Sequence, residues 1–443
     1  MLKSIALAVL LAGAAWQPTD ARAATTAPAA LKQDPIAAAT AVLDDMDYGR
    51  FEALHSRFSE KMAQAVSPAE LKAIWTQLPL QFGRFADRGK PQVQSTDGTT
   101  VVVIPLLFER GQLQASIAID ADGKIAGFFI KPAPPPPAAT RSDLRSHDMS
   151  FAPPGRSTLP GTLLLPQGKG PFPAVVFVHG SGPNDRDESV GGVRVFADLA
   201  QDLADHGIAS LRYDKRTKAH PDEFTGAFTI DDETTDDAVA AVAWLRTQPD
   251  IDAKRIYVIG HSQGAMMAPR IAQKAGDEVK GIVLLAAPAR HLEGILVEQN
   301  EYMAHQAGPI SATTQHQLDQ LKSAVAAVKK IDSQTPPTQK FLLDLPASYW
   351  LSLKDYDDVA VAGKIKQPLL ILQGGRDFQV TAPDWQRWHA AFVHDPRASF
   401  HDYPALNHLF VAGTGPSSLA EYTHPAHVDA QVASDIAAWI EAH

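Results

Sequence analysis

The chain has no cysteine among its 443 residues. That excludes a disulfide framework, a thiolate zinc site, an iron–sulfur cluster and a cysteine nucleophile. Basic charge is also in deficit: 40 Lys and Arg against 50 Asp and Glu give a formal net charge of −10. Such an acidic balance argues against a general binder of nucleic acid or of anionic membranes. Long apolar runs are missing too, so no stretch is predicted to span a membrane. What remains is an ordinary globular composition, 45% hydrophobic and 20% charged. It excludes global disorder and leaves ample chain for a large core and an accessory domain.

The first residues read as an address. Lys3 precedes an apolar run over 4–15, and Ala21-Arg22-Ala23 gives a small-x-small cleavage pattern. This is a signal peptide over 1–23. With no cysteine to acylate, a lipoprotein is excluded, and the product is expected to be soluble and exported, periplasmic or secreted.

Two domains follow. Ile36, Ala39, Leu43 and Met46 recur at helical spacing, as do Phe51, Leu54 and Phe58. Ser67-Pro68-Ala69-Glu70 is a capping box with proline at the first helical position. Past Gly89 the period changes, and 99–104, 113–119 and 124–130 read as strands. Helices first and strands afterwards predict a small α+β domain over 31–131. The proline run at 134–137 marks a semi-rigid linker over 132–145. From 146 the texture differs. Near-continuous apolar runs at 172–178, 208–213, 255–259, 279–285 and 368–372 alternate with helical patterns at 193–206, 230–247, 263–275 and 383–393. That alternation predicts an α/β domain, a doubly wound, mostly parallel sheet over 146–443. Residues 291–363 interrupt it with amphipathic helical sequence and read as an inserted cap.

Gly260-His261-Ser262-Gln263-Gly264 falls between a predicted strand and a predicted helix. A turn that sharp strains the serine backbone and presents its oxygen at the tip of the sheet. A serine hydroxyl needs a base, and the base needs a carboxylate to orient it. On such a sheet the chain order is Ser, then Asp or Glu, then His. Asp377 follows the strand at 368–372 within Gly374-Gly375-Arg376-Asp377, and His408 lies beyond a final strand at 399–403. His401, His394, Asp384, Asp395 and Asp402 are the rivals. Two backbone amides should hold the oxyanion. Gln263 supplies one, and Ser181 in the loop Val178-His179-Gly180-Ser181-Gly182 supplies the other.

These residues resemble the α/β-hydrolase family of serine hydrolases over about 146–443. Within it, the chain is similar to bacterial esterases of the dienelactone-hydrolase-like and acyl-peptidase-like branches. The carriers are the segment from His179 to Asp187, Arg212-Tyr213-Asp214-Lys215-Arg216, and the Ser262 pentapeptide. Thr217 stands where the family often has glycine, and the oxyanion loop lacks the three-glycine run of lipase-like esterases. The resemblance implies ester hydrolysis through an acyl-enzyme, with no metal or other cofactor. It also implies Ser262 as nucleophile, His408 as base and Asp377 as its orienting acid. Residues 31–131 resemble the small domain of unknown function found ahead of such hydrolases, similar to the cone-shaped nuclear-transport-factor fold. The expected partner is a small-molecule ester. A peptidase or thioesterase with the same triad stays open, as does a non-catalytic ligand-binding protein. Alternating charges at Arg186, Asp187, Arg212, Asp214 and Arg216 read as a salt-bridge network around the oxyanion loop, and His424-x-x-His427 as surface histidines.

Overall fold

The computed structural model describes residues 34–443 apart from 83, 97–98, 110, 133–140, 142, 307–308 and 311. The signal peptide read over 1–23 lies outside the described residues, as does most of the linker at 132–145. The described residues form two compact units, 34–132 and 141–443.

In the first unit, helices precede an antiparallel sheet. Asp34 caps the helix Pro35–Asp47 by accepting from the Ile36 amide, with proline opening the helix. The capping box at the start of Pro68–Phe82 forms as its spacing predicts. Ser67 Oγ accepts from the Glu70 amide at 3.3 Å, and Glu70 Oε2 accepts from the Ser67 amide at 2.8 Å. Strands Thr99–Phe108, Gly111–Ile119 and Ile125–Pro132 make an antiparallel meander. Alternate residues Val102, Ile104, Leu106 and Phe108 face the helices and pack with Val42, Leu43 and Leu54. Two further strands, Phe85–Arg88 and Gln92–Thr96, pair with Thr99–Phe108. Their polar sequences carry no apolar alternation, so the pattern along the chain does not announce them.

The second unit is built on an eight-stranded sheet. Across it the strands run Ala398–Tyr403, Leu369–Gly374, Gly281–Leu285, Ile251–His261, Phe172–Val178, Ala209–Tyr213, Leu159–Leu165 and Arg145–Phe151. The first six are mutually parallel, and the last two join by antiparallel pairing. The sheet is therefore mostly parallel, as the alternating sequence pattern requires. On one face the helices Val195–Asp205 and Ala430–Ala442 pack together. Val195, Phe196, Leu199, Ala200 and Leu203 recur at helical spacing and meet Val175, Phe177, Ile259 and Leu285 from the strands. The helices Asp236–Leu245 and Gln263–Ala275 pack against each other and against the central strands Phe172–Val178 and Ile251–His261. Between Gly281–Leu285 and Leu369–Gly374 the chain inserts helices, including Leu292–Gln306, Ala312–Val328, Ala347–Lys354 and Asp358–Ala362.

Candidate functional site

The centre of the second unit is a backbone turn. Strand Ile251–His261 gives way to helix Gln263–Ala275 with only Ser262 between them. Ser262 sits at φ 52°, ψ −118°, a conformation that costs a non-glycine residue about 1–3 kcal/mol. Its amide donates to the Leu285 carbonyl at 2.9 Å, and its carbonyl accepts from the Met266 amide at 3.0 Å. Both flanking glycines are forced by close approach. A Cβ on Gly260 would lie 2.3 Å from the Gly264 carbonyl oxygen, and one on Gly264 would lie 2.0 Å from that of Val178. The serine is thus held at the carboxyl end of the central strand, where open parallel sheets gather their ligands.

Two glycine-tight loops bring Asp377 and His408 together. A Cβ on Gly374 would strike the Asn407 carbonyl oxygen at 2.6 Å, and one on Gly375 would meet Pro404 Cα at 2.7 Å. Asp377 Oδ1 accepts from the amides of Gln379 at 2.7 Å and Val380 at 3.0 Å. Its Oδ2 accepts from Gln373 Nε2 at 3.3 Å and lies 2.7 Å from His408 Nδ1. A carboxylate only accepts, so Nδ1 carries the proton, and in the neutral ring Nε2 is left as the basic nitrogen. His408 is buried, and its carbonyl accepts from His261 Nε2 at 3.0 Å, with the two rings 4.8 Å apart. His408 is therefore packed against the residue that precedes Ser262.

The loop after strand Phe172–Val178 runs alongside. A Cβ on Gly180 would lie 3.3 Å from Ser262 Cβ. The Gly180 amide donates to Glu188 Oε1 at 2.6 Å, and its carbonyl accepts from Asn184 Nδ2 at 3.1 Å and from Lys215 Nζ at 2.9 Å. Gln263 opens its helix, so its amide is among the donors that helical bonding leaves free.

Residues 170–413 match the model of the serine aminopeptidase S33 family, and residues 39–128 match a domain described as a protein of unknown function, DUF3887. The esterase EstD of Thermotoga maritima is 33% identical over 395 residues, spanning 88% of this chain and 91% of that one. The chain belongs to the serine hydrolases of the S33 family. The esterase FrsA of Klebsiella pneumoniae is 29% identical over 161 residues, 36% of each chain. Among solved structures, Est1E of Butyrivibrio proteoclasticus is similar at 15% identity, covering 67% of this chain and 99% of that one, with a TM-score of 0.43.

Around this core the hydrolase settles its rival residues elsewhere. His401 lies in an edge strand, exposed, 3.5 Å from Asp435. His394 and Asp402 are exposed, and Asp395 pairs with Arg397 at 2.6 Å. Asp384 stands in the first turn of Ala382–Phe392 but has a second reason to be there. It is fully buried, accepting from the Ala289 amide at 2.9 Å and pairing with Arg290 at 2.8 Å. The alternating charges are paired within the protein: Arg186 with Asp214 at 3.1 Å, Arg212 with Asp187, and Arg216 with Asp237 at 2.7 Å. His424 and His427 are exposed.

Two buried groups escaped the sequence reading. Glu188, at φ 48°, places Oε2 3.0 Å from His261 Nδ1. Burial pushes the Glu188 carboxyl up, but the His261 charge and hydrogen bond, the His179 ring and the Gly180 amide together hold it below its usual range. Burial likewise presses His261 down, while the Glu188 charge and the His408 carbonyl raise it above its ordinary value. The two therefore stand as a buried carboxylate–imidazolium pair. Lys215 is the other, 2.9 Å from Glu233. Glu233 sits in a π-helical turn, Asp231–Thr235, where helical periodicity alone predicts regular α-helix. The sequence clue to each was its motif, because Glu188 directly follows the His179–Asp187 segment and Lys215 lies within Arg212–Arg216, but Glu and Lys by themselves normally mean surface.

Proposed function

We propose that the chain is an exported esterase that cleaves carboxylic esters of small acyl groups through an acyl-enzyme on Ser262. Ser262 Oγ attacks the ester carbonyl while His408 Nε2 takes its proton. Asp377 fixes the imidazole by its Nδ1 proton and stabilises the imidazolium. The amides of Ser181 and Gln263 hold the oxyanion. The tetrahedral adduct collapses, and the alcohol leaves with the proton from His408. Water then attacks the acyl-serine, giving its proton to His408, and the second collapse releases the acid and restores the serine. No step uses a metal or other cofactor.

The observation that carries this reading is the Asp377–His408 contact of 2.7 Å, with every Asp377 oxygen already accepting from a neighbour. EstD, an esterase related along nearly the whole chain, supports the choice of ester. The family description names an aminopeptidase, which favours amide cleavage by the same residues as a second reading. The deciding experiment offers p-nitrophenyl acetate, an aminoacyl amide and an acyl-CoA to the wild type and to Ser262→Ala, alongside a fluorophosphonate probe. Ester turnover is expected to dominate, and Ser262→Ala to lose on the order of 10⁶-fold in kcat together with labelling. Amide or thioester turnover well above ester turnover would replace the substrate class. Equal labelling of the two proteins would overturn the mechanism. Export is checked by N-terminal sequencing of the periplasmic protein, expected to begin at Ala24.

A further inference from the structure

Lys215 is a buried cation whose partners lie on the Ser262 side of the hydrolase unit. Its ammonium is 2% exposed and has three partners: the Gly180 carbonyl at 2.9 Å, Gln263 Oε1 at 3.1 Å and Glu233 Oε1 at 2.9 Å. An ammonium has three protons, so all are committed. Gln263 in turn donates from Nε2 to the Tyr349 hydroxyl at 2.7 Å. The whole cluster is buried. Packing alone does not explain it, because an apolar pair of the same shape commonly serves stability as well or better.

The contacts explain what the charge does. The Gly180 carbonyl takes Lys215 on one side and Asn184 Nδ2 on the other, at 2.9 and 3.1 Å, so both lone pairs are filled. The peptide between Gly180 and Ser181 is planar and trans, so the Ser181 N–H points opposite to that carbonyl. Among the described residues, that N–H has no acceptor. Gly180's own N–H is pinned by Glu188 at 2.6 Å, so the loop is fixed from both ends. A cation on the oxygen end of a peptide strengthens the donor at its nitrogen end, by roughly 10–30% per bond in a chain. The same ammonium fixes the side chain of Gln263, the residue whose amide follows Ser262.

We propose that Lys215 is a positioning residue for ester hydrolysis. It aims and polarises the Ser181 amide through the Gly180 carbonyl, and it holds Gln263 in place for the second donor. This rests on the reading of those two amides as the oxyanion donors.

The test compares Lys215→Met/Glu233→Gln with Glu233→Gln alone, so that no buried carboxylate is left unpaired and the difference isolates the ammonium. Circular dichroism and Tm report folding. Where methionine prevents folding, Lys215→Gln/Glu233→Gln keeps a neutral donor in the same space. The double variant is expected to lose ten- to a hundred-fold in kcat on p-nitrophenyl acetate relative to the single, with KM within about threefold. Affinity for a trifluoromethyl ketone, whose hemiketal carries the oxyanion, should fall by the same factor. Turnover of the matching thionoester should fall less, because sulfur accepts hydrogen bonds weakly. A structural role would lower ester and thionoester turnover alike. That result, or a kcat within about threefold of Glu233→Gln, overturns the proposal. Ser262→Ala separates the two levels. If it is inactive while the double variant matches the single, Lys215 alone loses its role. If it keeps ester turnover, the oxyanion reading falls and the proposal with it.

Discussion

The two units treat charge in opposite ways. In the first, the ion pairs stay in contact with water. Arg84–Glu109 has side chains 88% and 43% exposed, and the Arg50 side chain that meets Asp45 is half exposed. In the second, His261–Glu188 is 3% and 2% exposed and Arg216–Asp237 is 0% and 1%. Surface pairs contribute at most about 1 kcal/mol, whereas a buried ion costs several kcal/mol of desolvation before its partner offsets it. In the second unit the buried charges Glu188, His261 and Lys215 lie beside the strand end that carries Ser262. That difference teaches where fixed geometry matters more than stability.

Glycine draws the same contrast and supplies its largest expected effect. Gly264→Ala puts a methyl group 2.0 Å from the Val178 carbonyl oxygen, against backbone that has no room to shift. It should cost more than about 4 kcal/mol and leave little folded protein in urea titration. Gly123→Ala in the first unit meets nothing within 4 Å and suffers only from its φ of 79°. It should cost about 1 kcal/mol. Equal losses would break the comparison.

Next in size is the charge itself. Glu188→Gln removes the counter-ion of His261 and is expected to cost about 3 kcal/mol of unfolding free energy. Glu109→Gln, facing the exposed Arg84, should cost about 1 kcal/mol or less. A penalty at Glu109 as large as that at Glu188 would show that burial is not what separates the units.

The smallest effect is a dependence on pH. Glu188 is depressed in the folded state, so its contribution is present above the ordinary Glu value, about 4.3, and is lost as pH falls through the folded value. His261 is raised, so its contribution is full below the ordinary His value, about 6.5, and is lost as pH rises through the folded value. The pair therefore stabilises most between those limits. His179 works in the other direction. Burial pushes it down to about 4, so it favours folding above that value and gains until pH 6.5. Urea titrations at pH 6 and pH 9 should show a loss in the wild type that shrinks in Glu188→Gln. An unchanged loss would place the titration elsewhere.

Much of this was legible along the chain. The strands Phe172–Val178 and Gly281–Leu285 declare themselves because burial on both faces demands an unbroken apolar run. The pentapeptide around Ser262 declares its turn because two glycines are compelled at fixed spacing. Asp377 and His408 followed from chain order, and the structure brings them to 2.7 Å. Arg145–Phe151 was illegible, because an outer strand with mostly exposed side chains needs no apolar pattern. Glu188, Lys215 and Glu233 were illegible for another reason. Whether a charge is buried depends on partners far apart in sequence, and no local spacing encodes that meeting.

The sheet order also sets a timetable. In the first unit, Thr99–Phe108, Gly111–Ile119 and Ile125–Pro132 pair with their immediate neighbours in the chain. Such hairpins close short loops and form quickly. In the second, Gly281–Leu285 must find Leu369–Gly374 across the whole helical insertion, and Phe172–Val178 must find Ile251–His261 across another strand and its helices. Closing those long loops costs entropy before any contact rewards it, so the catalytic sheet is the slow part of assembly. Until it closes, its most apolar strand edges stand unpaired, which makes the interval before the active site exists the time at which this chain is most exposed to aggregation.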